Sequence, residues 1–76
     1  MSEVEQSFDS QRIKIVEYLE KEGFSNKDVI RAYENIKEPP YKFAKTDISS
    51  VLNGNRKYTQ SVKWLITFLI KYFDLD

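Results

Sequence analysis

Apolar residues recur at helical spacing in four segments of the chain, and no segment shows the strict alternation of a β-strand. The most regular pattern predicts a helix over residues 59–73, with Thr59 as its N-cap. Its core positions follow one another at intervals of three residues and one residue: Val62, Leu65, Ile66, Leu69, Ile70 and Phe73.

The N-terminal part of the chain predicts a helix over residues 8–22, followed by Gly23, which readily adopts the left-handed conformation of a helix end. Residues 1–7 are expected to form a flexible tail. Six apolar side chains are expected to face the core from this helix: Phe8, Ile13, Ile15, Val16, Tyr18 and Leu19. Four charged side chains are expected to point outward: Arg12, Glu17, Glu20 and Lys21.

Two shorter helices are predicted between these. One begins at Ser25, because Ser25 and Asp28 have the spacing of a capping box, and it must end before Pro39. After a connection over residues 38–44, a short helix is predicted over residues 45–53, with three buried residues: Ile48, Val51 and Leu52. The pattern therefore predicts a single, compact all-α domain of four short helices across residues 1–76.

Composition limits the chemistry available to this domain. The 76 residues include no cysteine and no histidine, which excludes disulfides, thiol nucleophiles and the usual zinc ligand sets. We expect no enzyme activity, metal, cofactor or small-molecule substrate, because a glycine-rich phosphate-binding loop is also absent from the sequence. No apolar run reaches the roughly 18 residues of a membrane-spanning helix, so we expect no membrane partner and a cytoplasmic location.

The net charge is zero, but the charges are unevenly distributed along the chain. Residues 1–22 carry three basic and six acidic side chains. Residues 42–63 carry a single acidic side chain, Asp47, and five basic ones: Lys42, Lys45, Arg56, Lys57 and Lys63. This basic segment is typical of a surface that contacts phosphates.

The same segment carries a motif. Ile48 is followed six places later by Gly54, then by Asn55-Arg56-Lys57 and an amphipathic closing helix. This arrangement resembles the recognition helix and following turn of the lambda-repressor-like (Cro/repressor, XRE-type) helix-turn-helix family. Residues 24–29 resemble the start of that family's second helix, with Asn26 where a glutamine commonly stands. The connection over residues 37–44 is longer than the tight glycine-containing turn of the short-turn members.

The resemblance implies a sequence-specific, DNA-binding transcriptional regulator of repressor type, from a phage or mobile element, that associates with the nucleoid when bound to DNA. Its third helix would enter the major groove of double-stranded DNA. The residues expected to read bases are Lys45, Thr46, Asp47, Ser49 and Ser50. Those expected to contact the DNA backbone are Asn26, Lys42, Asn53, Asn55, Arg56, Lys57 and Thr59.

Several features have two interpretations. Asp47 either accepts a hydrogen bond from a cytosine amino group or repels DNA and favours a protein partner. In the second case the chain is a helix-turn-helix-derived protein-binding module, such as an antirepressor that masks the DNA-binding face of a partner repressor. Tyr41 and Phe43 either attach the connection to the core or contact a partner. An aromatic row on the last helix either packs under the first helix or forms a homodimer or partner surface: Trp64, Phe68 and Tyr72.

Overall fold

Four α-helices and their connections make up the part of the chain that the computed structural model describes, residues 3–75, with side chains from Ser7 onward. In chain order, the helices are α1 (Glu3–Glu22), α2 (Asn26–Glu34), α3 (Lys45–Leu52) and α4 (Gln60–Tyr72). No strand occurs within residues 3–75. The all-α prediction is therefore confirmed, and each predicted helix is present.

The helix ends follow local capping chemistry. Ser25 precedes α2 in an extended conformation, and its backbone N–H donates to Asp28 Oδ2 at 2.8 Å, as the capping box predicts. Thr59 precedes α4, and its hydroxyl oxygen accepts a hydrogen bond from the Val62 N–H at 3.5 Å. Ala44 occupies the same position before α3 but has no polar side-chain atom, so the cap depends on Asp47 instead.

Helix α1 begins at Glu3, five residues before the predicted start. Residues 3–7 therefore belong to a helix rather than to the expected flexible tail. Met1 and Ser2, the rest of that expected tail, lie outside the described residues.

The core lies between α1 and α4, with α3 packed against α1 and α2 against α3. Every predicted core position of α3 is buried, as are those of α4 except the half-buried Phe73. The described residues form a compact body of 32 × 28 × 21 Å. On α1 the prediction was wrong for Ile13, which is 41% exposed because it lies outside the stripe formed by Ile15 and Leu19.

The connection between α2 and α3 is attached to the core by Tyr33. The buried Tyr33 hydroxyl donates to the Tyr41 carbonyl oxygen at 2.7 Å and accepts from the Phe43 N–H at 3.0 Å. The Phe43 ring lies edge-on to the Tyr33 ring at 5.6 Å and stacks on Trp64 at 6.4 Å. Tyr41 and Phe43 therefore attach the connection to the core, the first of the two interpretations above. Within the described residues, no helix is long and apolar enough to cross a membrane.

Candidate nucleic-acid interface

Helix α3 turns one side to the core and the other to the surface. Ile48, Val51 and Leu52 are buried, and 3.6 residues per turn place Thr46, Ser50 and Asn53 on the opposite side. Thr46 and Asn53 are exposed and Ser50 is half-buried. All three side chains can donate and accept hydrogen bonds, so this outer face of α3 can pair with a polar surface.

A groove of about 490 Å³ runs along one flank of α3, between α3 and α2. Asn26 at the start of α2 donates from Nδ2 to Ser49 Oγ at 3.1 Å, which joins the two helices across the groove. The groove is lined by three basic side chains, one acidic one and three others: Lys27, Arg31, Lys45, Glu34, Asn26, Ile30 and Ser49. We refer to it as the α2–α3 groove.

Sequence reasoning missed Lys27 and Arg31, because the local charge balance of residues 23–41 is zero. The signal in the sequence was their spacing of four residues, which puts both on one side of α2. Only the packing of α2 beside α3 brings them next to Lys45.

A second groove, of about 350 Å³, lies on the opposite flank of α3 and reaches the start of α4. Its lining includes four of the seven residues expected to contact a DNA backbone: Lys42, Arg56, Lys57 and Thr59. Asp47, which was expected to read bases, and Ser61 also line it. We refer to it as the α3–α4 groove. The fifth cation of the basic segment, Lys63, lies apart from both grooves, with its ammonium 5.7 Å from the centre of the Phe8 ring.

Asp47 has two partners within the molecule. Its Oδ2 accepts from the Ala44 N–H at 3.0 Å, which caps the start of α3, and its Oδ1 forms an ion pair with Arg56 Nη2. The Ala44 hydrogen bond, followed by the charge of Arg56, lowers the pKa of Asp47 below its ordinary value of 3.8. Asp47 therefore stays charged near neutral pH, and neither oxygen is without a partner when the protein is alone.

Arg12 turns inward, contrary to the prediction that it points outward, and it anchors the end of α3. Its Nη1 donates to the Leu52 carbonyl oxygen at 2.9 Å, its Nε to the Tyr58 hydroxyl at 3.3 Å and its Nη2 to Asp9 Oδ1 at 3.1 Å. The Tyr58 hydroxyl in turn donates to Asp9 Oδ1 at 2.6 Å. This network joins α1 to the turn that precedes α4, since a long arginine side chain can reach polar partners across a helix interface.

The network also changes the ionisation of its members. Hydrogen bonds from Tyr58 and then from Arg12 lower the pKa of Asp9 below its ordinary value. Burial, reinforced by the hydrogen bond to Asp9, raises the pKa of the Tyr58 hydroxyl. Both shifts favour the state in which Asp9 is charged and Tyr58 is protonated.

The aromatic row of α4 packs differently from the expected position under α1. Trp64 lies against Tyr33 from α2 and against Tyr41 and Phe43 from the connection. Phe68 stacks on Trp64 at 5.6 Å, and Tyr72 follows at 5.7 Å. The connection thus covers the Trp64 end of the row, whereas Tyr72 at the other end is 52% exposed.

The expected site residues therefore divide into separate places. Thr46, Ser50 and Asn53 form the outer face of α3, while Asn26, Lys45 and Ser49 belong to the α2–α3 groove. Asn55 is exposed in the turn after α3, next to the α3–α4 groove residue Arg56. No protein-family model, curated protein or solved structure matches the chain.

Proposed function

We propose that the chain is a sequence-specific, DNA-binding transcriptional regulator of helix-turn-helix type, in which α3 enters the major groove of double-stranded DNA. The observation that carries the proposal is the polar outer face of α3 with a basic groove on each flank. B-DNA presents a matching pattern, since its major groove, about 12 Å wide, lies between two phosphate backbones. The motif over residues 46–57 and its lambda-repressor-like resemblance support the same proposal.

In this arrangement each region has its own task. Thr46 and Ser50 on the outer face contact base edges, with Lys45 and Ser49 reaching bases from the α2–α3 side. The backbone on the other side meets the α3–α4 groove through four side chains: Lys42, Arg56, Lys57 and Thr59. Asn26 in the α2–α3 groove, Asn53 at the end of the outer face and Asn55 in the following turn are exposed and supply neutral hydrogen bonds to the backbone.

The first test is fluorescence anisotropy of a labelled random duplex of about 20 base pairs, titrated with the protein at two salt concentrations. Non-specific DNA binding has a dissociation constant of roughly 10⁻⁴ to 10⁻⁶ M near physiological salt and weakens steeply as salt increases. We expect the protein to bind within this range and to show that salt dependence.

A pair of lysine variants locates the interface. Lys57→Ala removes a cation from the α3–α4 groove and should reduce the slope of log affinity against log salt by about 0.9, the value for one lost phosphate contact. Lys14→Ala removes the same charge from the exposed surface of α1 and should leave the slope unchanged. Equal slopes for the two variants would place any DNA contact elsewhere.

A second function, a protein-binding module such as an antirepressor, is favoured by one observation. Phe24 and Tyr72 are 41% and 52% exposed, and both rings belong to an aromatic cluster with Phe73. Exposed aromatic side chains are common anchors of protein interfaces. This function predicts no binding to the random duplex tighter than roughly 10⁻⁴ M at physiological salt.

A further inference from the structure

Asp47 lines the α3–α4 groove beside Lys42, Arg56 and Lys57, and it is the only acidic residue in residues 42–63. Its carboxylate links two elements that both belong to the proposed DNA-binding surface. One oxygen holds the first turn of α3 through Ala44, and the other holds Arg56 in the turn before α4. Any role for Arg56 in DNA binding must therefore take this ion pair into account.

Arg56 and a DNA phosphate compete for the same contact. A guanidinium group pairs with carboxylates and phosphates through the same donor geometry, so an arginine held by Asp47 is less available to a phosphate. The side chain of Arg56 is 49% exposed, and the ion pair is therefore weak enough to be exchanged. Asp47 itself is 33% exposed and stays anchored by the Ala44 N–H, so its negative charge remains at the surface after Arg56 has left.

The cost of this exchange depends on the DNA sequence. An arbitrary duplex offers a phosphate to Arg56 in every register, but it presents an amino group to Asp47 only where its sequence happens to place one. A duplex with a cytosine opposite the first turn of α3 presents an amino group, the base donor that a carboxylate accepts in the major groove. At such a site Asp47 Oδ1 would regain a hydrogen bond in every bound complex, whereas on arbitrary DNA it would do so only in some registers.

We propose that Asp47 is a specificity-determining residue, which competes with DNA phosphates for Arg56 and so weakens binding to arbitrary sequences more than binding to a site with a suitably placed cytosine. This inference rests on the proposed function. It assigns to Asp47 a selective role in addition to its role as the cap of α3.

The test compares Asp47→Asn with Asp28→Asn on the random duplex. Asp28 accepts a hydrogen bond from the N–H of Ser25, the residue before α2, just as Asp47 accepts one from the N–H of Ala44 before α3. Unlike Asp47, Asp28 lies outside the two basic grooves. Both substitutions remove one negative charge and keep an amide oxygen as acceptor for the cap. We expect Asp47→Asn to bind about two- to fivefold more tightly at low salt, with a steeper salt dependence, whereas Asp28→Asn stays close to the parent. Equal effects of the two substitutions would overturn the inference.

A double-mutant cycle tests whether Asp47 affects DNA affinity through Arg56. Arg56→Ala should weaken binding only slightly in the parent and clearly more in the Asp47→Asn background, because only there is Arg56 free to contact a phosphate. The same loss in both backgrounds would show that Asp47 acts by its charge alone and would overturn competition for Arg56.

Selection of binding sites from a randomised duplex pool tests the specificity. The parent should select sites with one strongly preferred G·C pair, and Asp47→Asn should lose that preference while retaining the others. An unchanged set of sites would contradict the specificity role. If neither the parent nor Asp47→Asn binds any duplex at low salt, the proposed function itself is wrong, and this inference with it.

Discussion

Gly54 and Arg12 determine how the chain leaves α3. Gly54 has a φ of +78°, a left-handed conformation that residues with a side chain adopt at a cost. The guanidinium of Arg12 lies over it, so that a β-carbon at Gly54 would be 3.1 Å from Arg12 Cζ. The glycine could be predicted from the sequence as the end of a helix, but its contact with Arg12 could not, because 42 residues separate the two.

Gly54→Ala tests this close approach, and Gly23→Ala is its matched control. Gly23 has a similar φ of +73° but no atom within 4 Å of the position of an added β-carbon. Each substitution should reduce the free energy of unfolding by about 1–2 kcal/mol through backbone strain. Gly54→Ala should cost about 1 kcal/mol more, because Arg12 must move away from its hydrogen bonds. Urea denaturation measures the difference, and equal losses would argue against a structural role for the contact.

At the scale of elements, the connection between α2 and α3 is ordered by a side chain that lies before it in the chain. The Tyr33 ring fills a buried position on the apolar face of α2. Its hydroxyl also serves as donor and acceptor for two backbone groups of the connection. The pair of prolines predicts that α2 ends, but the path of the following residues depends on Tyr33, Phe43 and Trp64 packing together.

Tyr33→Phe should release the connection while retaining the buried ring. The Phe43 N–H and the Tyr41 carbonyl oxygen lose their partner, which should cost about 1–3 kcal/mol of unfolding free energy. Amide hydrogen exchange at Phe43 should become faster by a larger factor than exchange within α4. Tyr72→Phe removes a hydroxyl from an exposed tyrosine and should leave both quantities unchanged. Slow exchange at Phe43 in Tyr33→Phe would mean that ring packing alone holds the connection.

At the scale of the whole molecule, two carboxylates join segments that are distant in the chain. Asp9 connects α1 with Tyr58, and Asp47 connects α3 with Arg56. The pKa of each lies below its ordinary value of 3.8. Hydrogen bonds from Tyr58 and then Arg12 lower it for Asp9, and the Ala44 N–H hydrogen bond and then the charge of Arg56 lower it for Asp47. Folding therefore favours the charged form of both carboxylates.

The direction of these two pKa shifts predicts how the stability of the protein responds to acid. A carboxylate with a depressed pKa stabilises the fold fully above its unfolded-state pKa, and the stabilisation is lost as pH falls through the lower, folded-state value. We expect the urea midpoint to be nearly constant from neutral pH to about pH 5 and to fall below pH 3.8. The double variant Asp9→Asn, Asp47→Asn should begin with a lower midpoint and show a shallower fall. An equally steep fall in the double variant would assign the acid sensitivity to other groups.

The sequence by itself determined the four helices, their approximate ends and most of the core. Periodicity, caps and prolines act over one or two helical turns, so their effects can be read along the chain. Tertiary structure alone decided that Arg12 turns inward to Leu52, and that the basic segment separates into opposite flanks of α3 with Arg31 added from α2. It also decided that Asp47 pairs with Arg56. These features depend on distances between segments brought together by packing, and a pattern of neighbouring residues contains no such distances.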